Sequence, residues 1–157
     1  MRPPTYCGVV TDDSAPITWA DGTLTAVIII VGVYAAGLVL IGGFVGDELF
    51  GPLGFGPESA GITGGAERDY TTFIFGVLGA VIIGWMVLTL VVARGPLRCR
   101  ERWAWNAVAS SIGLWFLVDT GFSLGVGQIE HAIFNLAFLA AVAVPLARLR
   151  REVTAPI

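Results

Sequence analysis

Apolar residues occur along the chain in four long runs, separated by segments that are polar or rich in glycine and proline. Each run is close to the roughly 20 residues that an α-helix needs to cross a hydrocarbon core about 30 Å thick. The pattern therefore predicts an all-α integral membrane protein, in which one domain of 157 residues is a bundle of four transmembrane helices. The predicted helices cover residues 24–46, 71–93, 103–122 and 128–147.

The segments between these runs are expected outside the hydrocarbon. The longest, 47–70, carries five acidic residues and one arginine and joins the first two helices. Asp21 or Thr23 is predicted to cap the first helix, and Pro145 to disrupt the last helix near its exit. The other extramembrane segments are the tails 1–22 and 148–157 and the basic loop 94–102.

The basic residues indicate how the helices cross. All nine are arginines, and with four crossings eight of them lie on the side that holds both chain ends and the 94–102 loop. The opposite side then has Arg68 alone. Because basic residues concentrate on the cytoplasmic side, both termini are predicted to be cytoplasmic and the acidic loop to lie outside. The absence of lysine is compatible with a GC-rich bacterial genome, so the predicted location is a bacterial cytoplasmic (inner) membrane.

Composition narrows the partners. The chain is 55% hydrophobic and 13% charged, about half the charge of a typical soluble domain. We expect membrane lipids around it, and other membrane proteins or a second copy as partners. No basic stretch carries the interleaved aromatic residues that bind single strands, which argues against a nucleic-acid partner. Cys7 and Cys99 have no metal-ligand spacing and are expected as reduced thiols on the cytoplasmic side.

Small residues recur at helical spacing on the first two helices. Gly32 and Ala36 stand four apart, and Gly76, Ala80 and Gly84 form a stripe at i, i+4 and i+8. Such spacings let helices approach closely in lipid, where packing drives association, so the stripe predicts a face that meets another helix. The alternative is that glycine is simply frequent in membrane helices.

Polar groups at membrane depth gather in the hairpin of the third and fourth helices, around a turn at 123–127. Asp119 and His131 lie at similar depth, roughly 6–8 Å inside the outer end. Asp119 is expected to face the bundle interior and to bond His131 or Asn135, while Glu130 points about 100° away from His131. On the second helix, Trp85 is expected to pack against this hairpin with its N–H bonded.

Three interpretations of this cluster remain open. Asp119 with His131 or Asn135 forms a polar clasp that fixes the hairpin. Alternatively, Asp119, Glu130 and His131 form a proton- or cation-accepting site open to the outer face, although no deeper titratable group continues it. In the third, His131 is an axial ligand of a haem or a chlorophyll-type pigment, which requires a partner chain's ligand or a water molecule.

Nothing in the sequence predicts catalysis. No P-loop, dinucleotide fingerprint or nucleophile elbow is present, and Asp119, Glu130 and His131 lack the spacing of a metal site. The prediction is a non-enzymatic accessory or scaffolding subunit of a larger membrane complex, without a resident cofactor or metal. The alternatives are a small transporter or proton-coupled channel and, third, a pigment- or haem-associated subunit.

Short motifs in the second half of the chain carry a resemblance. They are Gly84-Trp85, Glu101-Arg-Trp-Ala-Trp105, Trp115-Phe-Leu-Val-Asp119-Thr-Gly-Phe-Ser123 and the segment from Asn135 to Pro145. In these the chain resembles small bacterial four-helix membrane proteins of the BphX type. The resemblance implies the fold and the compartment. It implies no activity, and the acidic loop and proline-rich tail lie outside it.

Overall fold

The computed structural model describes residues 18–44 and 65–154, which form four α-helices. Each helix contains a stretch of 23 to 26 residues that is long and apolar enough to cross a membrane. The four predicted helices are therefore confirmed, and their length and composition suit a membrane-embedded protein. In chain order they are α1 (Trp19–Phe44), α2 (Gly65–Arg94), α3 (Arg102–Gly125) and α4 (Ile129–Thr154). The tail 1–17, most of the acidic loop (47–64) and residues 155–157 lie outside the described residues.

The helices form two hairpins joined side by side. α1 packs most extensively against α2, and α3 against α4; the pairs meet mainly through α1 and α4, with fewer contacts between α2 and α3. The outward faces are as apolar as the interior: Ile30, Val33 and Leu117 are each about two-thirds exposed. Such faces suit lipid rather than water. The buried core includes Leu24, Ile28, Met86, Ile112, Val142, Leu146 and Leu149.

α1 and α2 approach each other closely at Gly79 of α2. A Cβ atom there would lie 2.6 Å from the backbone oxygen of Ala35 and 2.8 Å from a methyl carbon of Val39. Glycine is therefore required for the α1–α2 contact as it stands. Gly79 was not among the predicted packing positions, although it is adjacent to the predicted stripe.

The predicted small-residue positions are distributed differently. Gly32 is in ordinary contact distance of Met86, and Ala36 is half-buried. A Cβ atom at Gly76 or Gly84 would meet nothing within 4 Å, and Ala80 is exposed. Within the described part of the chain, this stripe thus points away from the other helices, and its partner helix stays a prediction.

The helices begin earlier than the apolar runs suggest. α1 starts at Trp19 because Thr18 and Asp21 form a capping box: the Thr18 hydroxyl donates to Asp21 Oδ2 at 2.8 Å and accepts from the Asp21 amide at 3.4 Å. The N-cap position is therefore Thr18 rather than Asp21 or Thr23, but Asp21 does take part in the cap, because its carboxylate accepts the Thr18 backbone N–H at 3.0 Å. α2 starts at Gly65 rather than residue 71, so the last part of the predicted loop is helical.

Pro145 does not disrupt α4, and this prediction is also wrong. The helix continues through the buried Pro145 to Thr154 rather than ending at 147. Membrane helices tolerate an internal proline because neighbouring groups can satisfy the carbonyl it leaves free. One residue further on, the indole N–H of Trp105 donates to the Leu146 carbonyl at 2.7 Å and ties α3 to α4. At the other end of the hairpin, α3 runs three residues past its predicted end, and Gly127 takes the left-handed conformation (φ 83°) that reverses the chain.

Candidate functional site

The polar cluster at the α3–α4 hairpin is built around the carboxylate of Asp119. The side-chain amide of Asn135 donates to Asp119 Oδ2 at 2.7 Å, and His131 Nε2 lies 3.1 Å from the same oxygen. His131 and Asn135 are four residues apart, so the helical repeat presents both to α3 from one face of α4. The contact expected from Asp119 to the facing helix is therefore present, and it involves both candidates.

Asn135 closes the inner side of this cluster. It is fully buried, and its Nδ2 also lies 3.3 Å from Thr120 Oγ1. Its Oδ1 is buried and accepts no hydrogen bond in the described part of the chain. A buried unsatisfied acceptor costs about 1–3 kcal/mol. The structure thus holds, beside Asp119, one buried acceptor oxygen without a donor among the described residues.

The outer side of the cluster is open. The side chains of Asp119 and His131 are 33% and 41% exposed, and the imidazole stacks against Phe134 with ring centroids 6.2 Å apart. Glu130, on the neighbouring face of α4, is exposed and takes no part in these contacts. Partial exposure weakens the attraction between Asp119 and His131.

Aromatic residues fill the space below the cluster. Trp85 of α2 donates its indole N–H to Ser111 Oγ of α3 at 2.9 Å, as expected for a tryptophan packed against the hairpin. Its ring lies 6.1 Å from Trp115, which in turn meets Phe138 edge-on at 5.1 Å. These rings connect α2, α3 and α4. They separate the Asp119 cluster from the arginine-rich end of the bundle, which consists of the 94–102 loop and the end of α4.

A second charged cluster, which was not predicted from the sequence, lies at the arginine-rich end. The guanidinium of Arg100, between α2 and α3, donates to both oxygens of Asp21 at 3.0 and 3.1 Å. It also forms an ion pair with Glu152 of α4 at 2.7 Å, and Arg148 approaches the other oxygen of Glu152 at 3.3 Å. The beginning of α1, the α2–α3 turn and the end of α4 are therefore held together.

The geometry of this cluster favours a structural role. Arg100 has a left-handed backbone (φ 60°), uncommon outside glycine, and hydrogen bonding to Asp21 raises its pKa above the usual value for arginine. The Asp21 and Arg100 side chains are 6% and 19% exposed. Removing one member of such a pair leaves an uncompensated charge. Asp21 was predicted only as a cap of the first helix, and its pairing with Arg100 was not predicted.

The described residues contain no group of three or more His, Cys, Asp or Glu side chains able to hold a metal ion. The nitrogen of His131 that faces the cluster, Nε2, is already within hydrogen-bond distance of Asp119. An axial haem or pigment bond through that nitrogen would have to displace this contact. What the geometry shows is a set of side-chain contacts that ties α3 to α4 next to the turn of the hairpin.

Cys99 is disulfide-bonded, which makes the expectation of a reduced thiol wrong. The other cysteine of the chain, Cys7, lies outside the described residues. Disulfides are typical of oxidising compartments. The disulfide therefore favours a non-cytoplasmic position for Cys99, whereas the arginine distribution favours a cytoplasmic position for the 94–102 loop that contains it.

No family model, curated protein or solved structure matches the chain.

Proposed function

We propose that the protein is a non-enzymatic accessory or scaffolding subunit of a larger membrane complex. The observation that carries this proposal is the outward face of α2, where Gly76, Ala80 and Gly84 stand at helical spacing beside open space. Small residues on a lipid-facing surface permit a further helix to pack closely and gain van der Waals contact. The partner helix belongs either to a second copy or to another subunit.

The test is assembly in mild detergent, measured by native mass. Gly76→Ile and Gly84→Ile place branched side chains in open space, so they should leave the monomer folded while blocking the face. Gly121→Ile on α3 is the matched control, since a Cβ atom there also meets nothing within 4 Å. Complexes should be lost with the α2 variants and kept with the control. A strictly monomeric wild-type protein, with no co-purifying chain, contradicts the proposal.

The second candidate is a small transporter or proton-coupled channel. It is favoured by the partly exposed Asp119–His131 pair and by the acceptor oxygen of Asn135 beside it. Intramembrane ionisable groups often mark ion pathways. In liposomes, Asp119→Asn and His131→Ala should each change a pH-dependent flux. Flux no higher than in empty vesicles rules this candidate out, and the visible absorption spectrum of the same preparation tests the haem or pigment hypothesis.

The proposal extends to location and kinship. We place the protein in a bacterial cytoplasmic (inner) membrane, with both termini in the cytoplasm and the acidic loop outside. The orientation rests on the arginines, because they are spread over three separate segments of the sequence. A relationship to BphX-type membrane proteins stays a prediction that rests on the short motifs of α2, α3 and α4.

A further inference from the structure

A groove of about 390 Å³ runs between α3 and α4 at the arginine-rich end. Its lining is largely apolar and includes small residues that leave room beside the helix axes. At Gly113, for example, an added Cβ atom would meet nothing within 4 Å. Two arginines complete the lining at the end of α4. The small residues are Ala109, Gly113, Ala143 and Ala147, and the arginines are Arg150 and Arg151.

The cationic end of the groove is partly fixed in place. Trp105, which also lines the groove, is held by its hydrogen bond to the Leu146 carbonyl at 2.7 Å. The guanidinium carbon of Arg150 lies 5.2 Å from the centroid of this tryptophan ring, within the range of a cation–π contact. An arginine stacked in this way has fewer conformations to lose when an anion binds.

The two arginines that line the groove carry positive charge that no carboxylate among the described residues pairs with. Arg100 and Arg148 have carboxylate partners, whereas Arg150 and Arg151 have none among the described residues. An apolar slot that ends at two unpaired arginines is complementary to a molecule with an acyl chain and an anionic head. Basic pockets between transmembrane helices are known to bind anionic lipid head groups.

We infer that the α3–α4 groove is a binding site for one anionic phospholipid, with an acyl chain along Gly113 and Ala143 and the phosphate at Arg150 and Arg151. A zwitterionic phospholipid fits the slot equally well but brings its own cation to the arginines. The preference for the anionic head should therefore come from the two guanidiniums, at about fivefold for each. This inference does not depend on the proposed scaffolding role.

The experiment titrates the purified full-length protein with phosphatidylglycerol or with phosphatidylcholine of identical acyl chains and counts bound lipids by native mass spectrometry. Phosphatidylglycerol should bind more tightly, by about 30-fold if both arginines contribute. Arg150→Gln should reduce that preference about fivefold, and the double change with Arg151→Gln should abolish it. Arg148→Gln is the matched control: it removes the same charge within one turn of Arg150, from a residue paired with Glu152 that does not line the groove.

A second variant tests the apolar part of the site. Gly113→Phe fills the slot without changing charge, and it should weaken binding of both lipids while the helix content measured by circular dichroism stays the same. The inference is overturned if the wild-type protein binds phosphatidylglycerol and phosphatidylcholine with equal affinity. So does an equal loss from Arg148→Gln and Arg150→Gln, which would mean diffuse attraction to the surface. A protein dimer that Gly113→Phe abolishes, in place of a lipid adduct, would assign the groove to a second copy.

Discussion

Substituting alanine for Gly79 tests whether the α1–α2 contact fixes the bundle. The new Cβ atom would stand 2.6 Å from the Ala35 carbonyl oxygen, whereas ordinary contact begins at 3.4 Å. The two helices must therefore separate by about 0.8 Å at this point, because the obstructing atom is backbone and cannot rotate away. Overpacking of this kind costs about 1–3 kcal/mol.

The expected size follows from two opposing terms. Alanine in place of glycine favours a helix by about 0.5–1 kcal/mol. Gly79→Ala should therefore destabilise the protein by about 1 kcal/mol on balance, within a range of about 0–2.5 kcal/mol. Gly76→Ala and Gly84→Ala receive the same helical gain with no clash, so they should leave the stability unchanged or raise it. The sign of the effect thus separates neighbouring glycines on one helix.

The assay is reversible unfolding in mixed micelles, followed by far-ultraviolet circular dichroism. Wild type and the three alanine variants are compared in the same detergent and at the same protein concentration. If Gly79→Ala is as stable as Gly76→Ala and Gly84→Ala, the close approach of α1 and α2 is not present in the folded protein. A lower stability for all three would instead mean that the whole face of α2 is packed.

Asp119→Ala should lower the stability in detergent by about 1–3 kcal/mol, since the buried Asn135 amide loses its partner. Glu130→Ala should have little effect. A double-mutant cycle that finds no coupling between Asp119 and Asn135 would contradict the polar clasp. Arg100→Gln should destabilise the protein, because two carboxylates lose one cation. Breaking a fully buried pair costs about 3–5 kcal/mol, and the partial exposure of Arg100 should make the loss smaller than that. If the variant unfolds at the wild-type temperature, the ion cluster does not form. After reduction, an impermeant thiol reagent should label Cys99 only from the cytoplasmic side, and labelling on intact cells would reverse the proposed orientation.

Periodicity and composition were sufficient to predict the four helices, because lipid imposes a length and an apolar surface on each. The helix ends were less predictable, since hydrogen bonds outside the apolar runs determine them. Thr18 begins α1 through a hydroxyl–carboxylate exchange, and α4 passes Pro145. Hydropathy detects neither effect.

The two polar clusters also differ in how far they could be predicted from the sequence. Asp119 and Asn135 are 16 residues apart on adjacent helices of one hairpin, so counting from the turn was enough to place them together. Asp21 and Arg100 are separated by 79 residues and by two crossings. Their contact depends on how the hairpins are arranged in space. Gly79 was missed for a similar reason: spacing identifies a stripe of small residues, but not which face of the helix meets a neighbour.

The contact between Asp21 and Arg100 also sets an order for biogenesis. Asp21 lies near the start of α1, so it is synthesised before its cationic partner Arg100, which follows α2. Glu152, the third member, leaves the ribosome last. The α1–α2 hairpin can assemble through Gly79 and the α3–α4 hairpin through Asp119 before the ion cluster is complete. The carboxylate of Asp21 must therefore stay hydrated or be shielded by the insertion machinery until Arg100 and α4 have been made, and closure of the ion cluster would follow the formation of both hairpins.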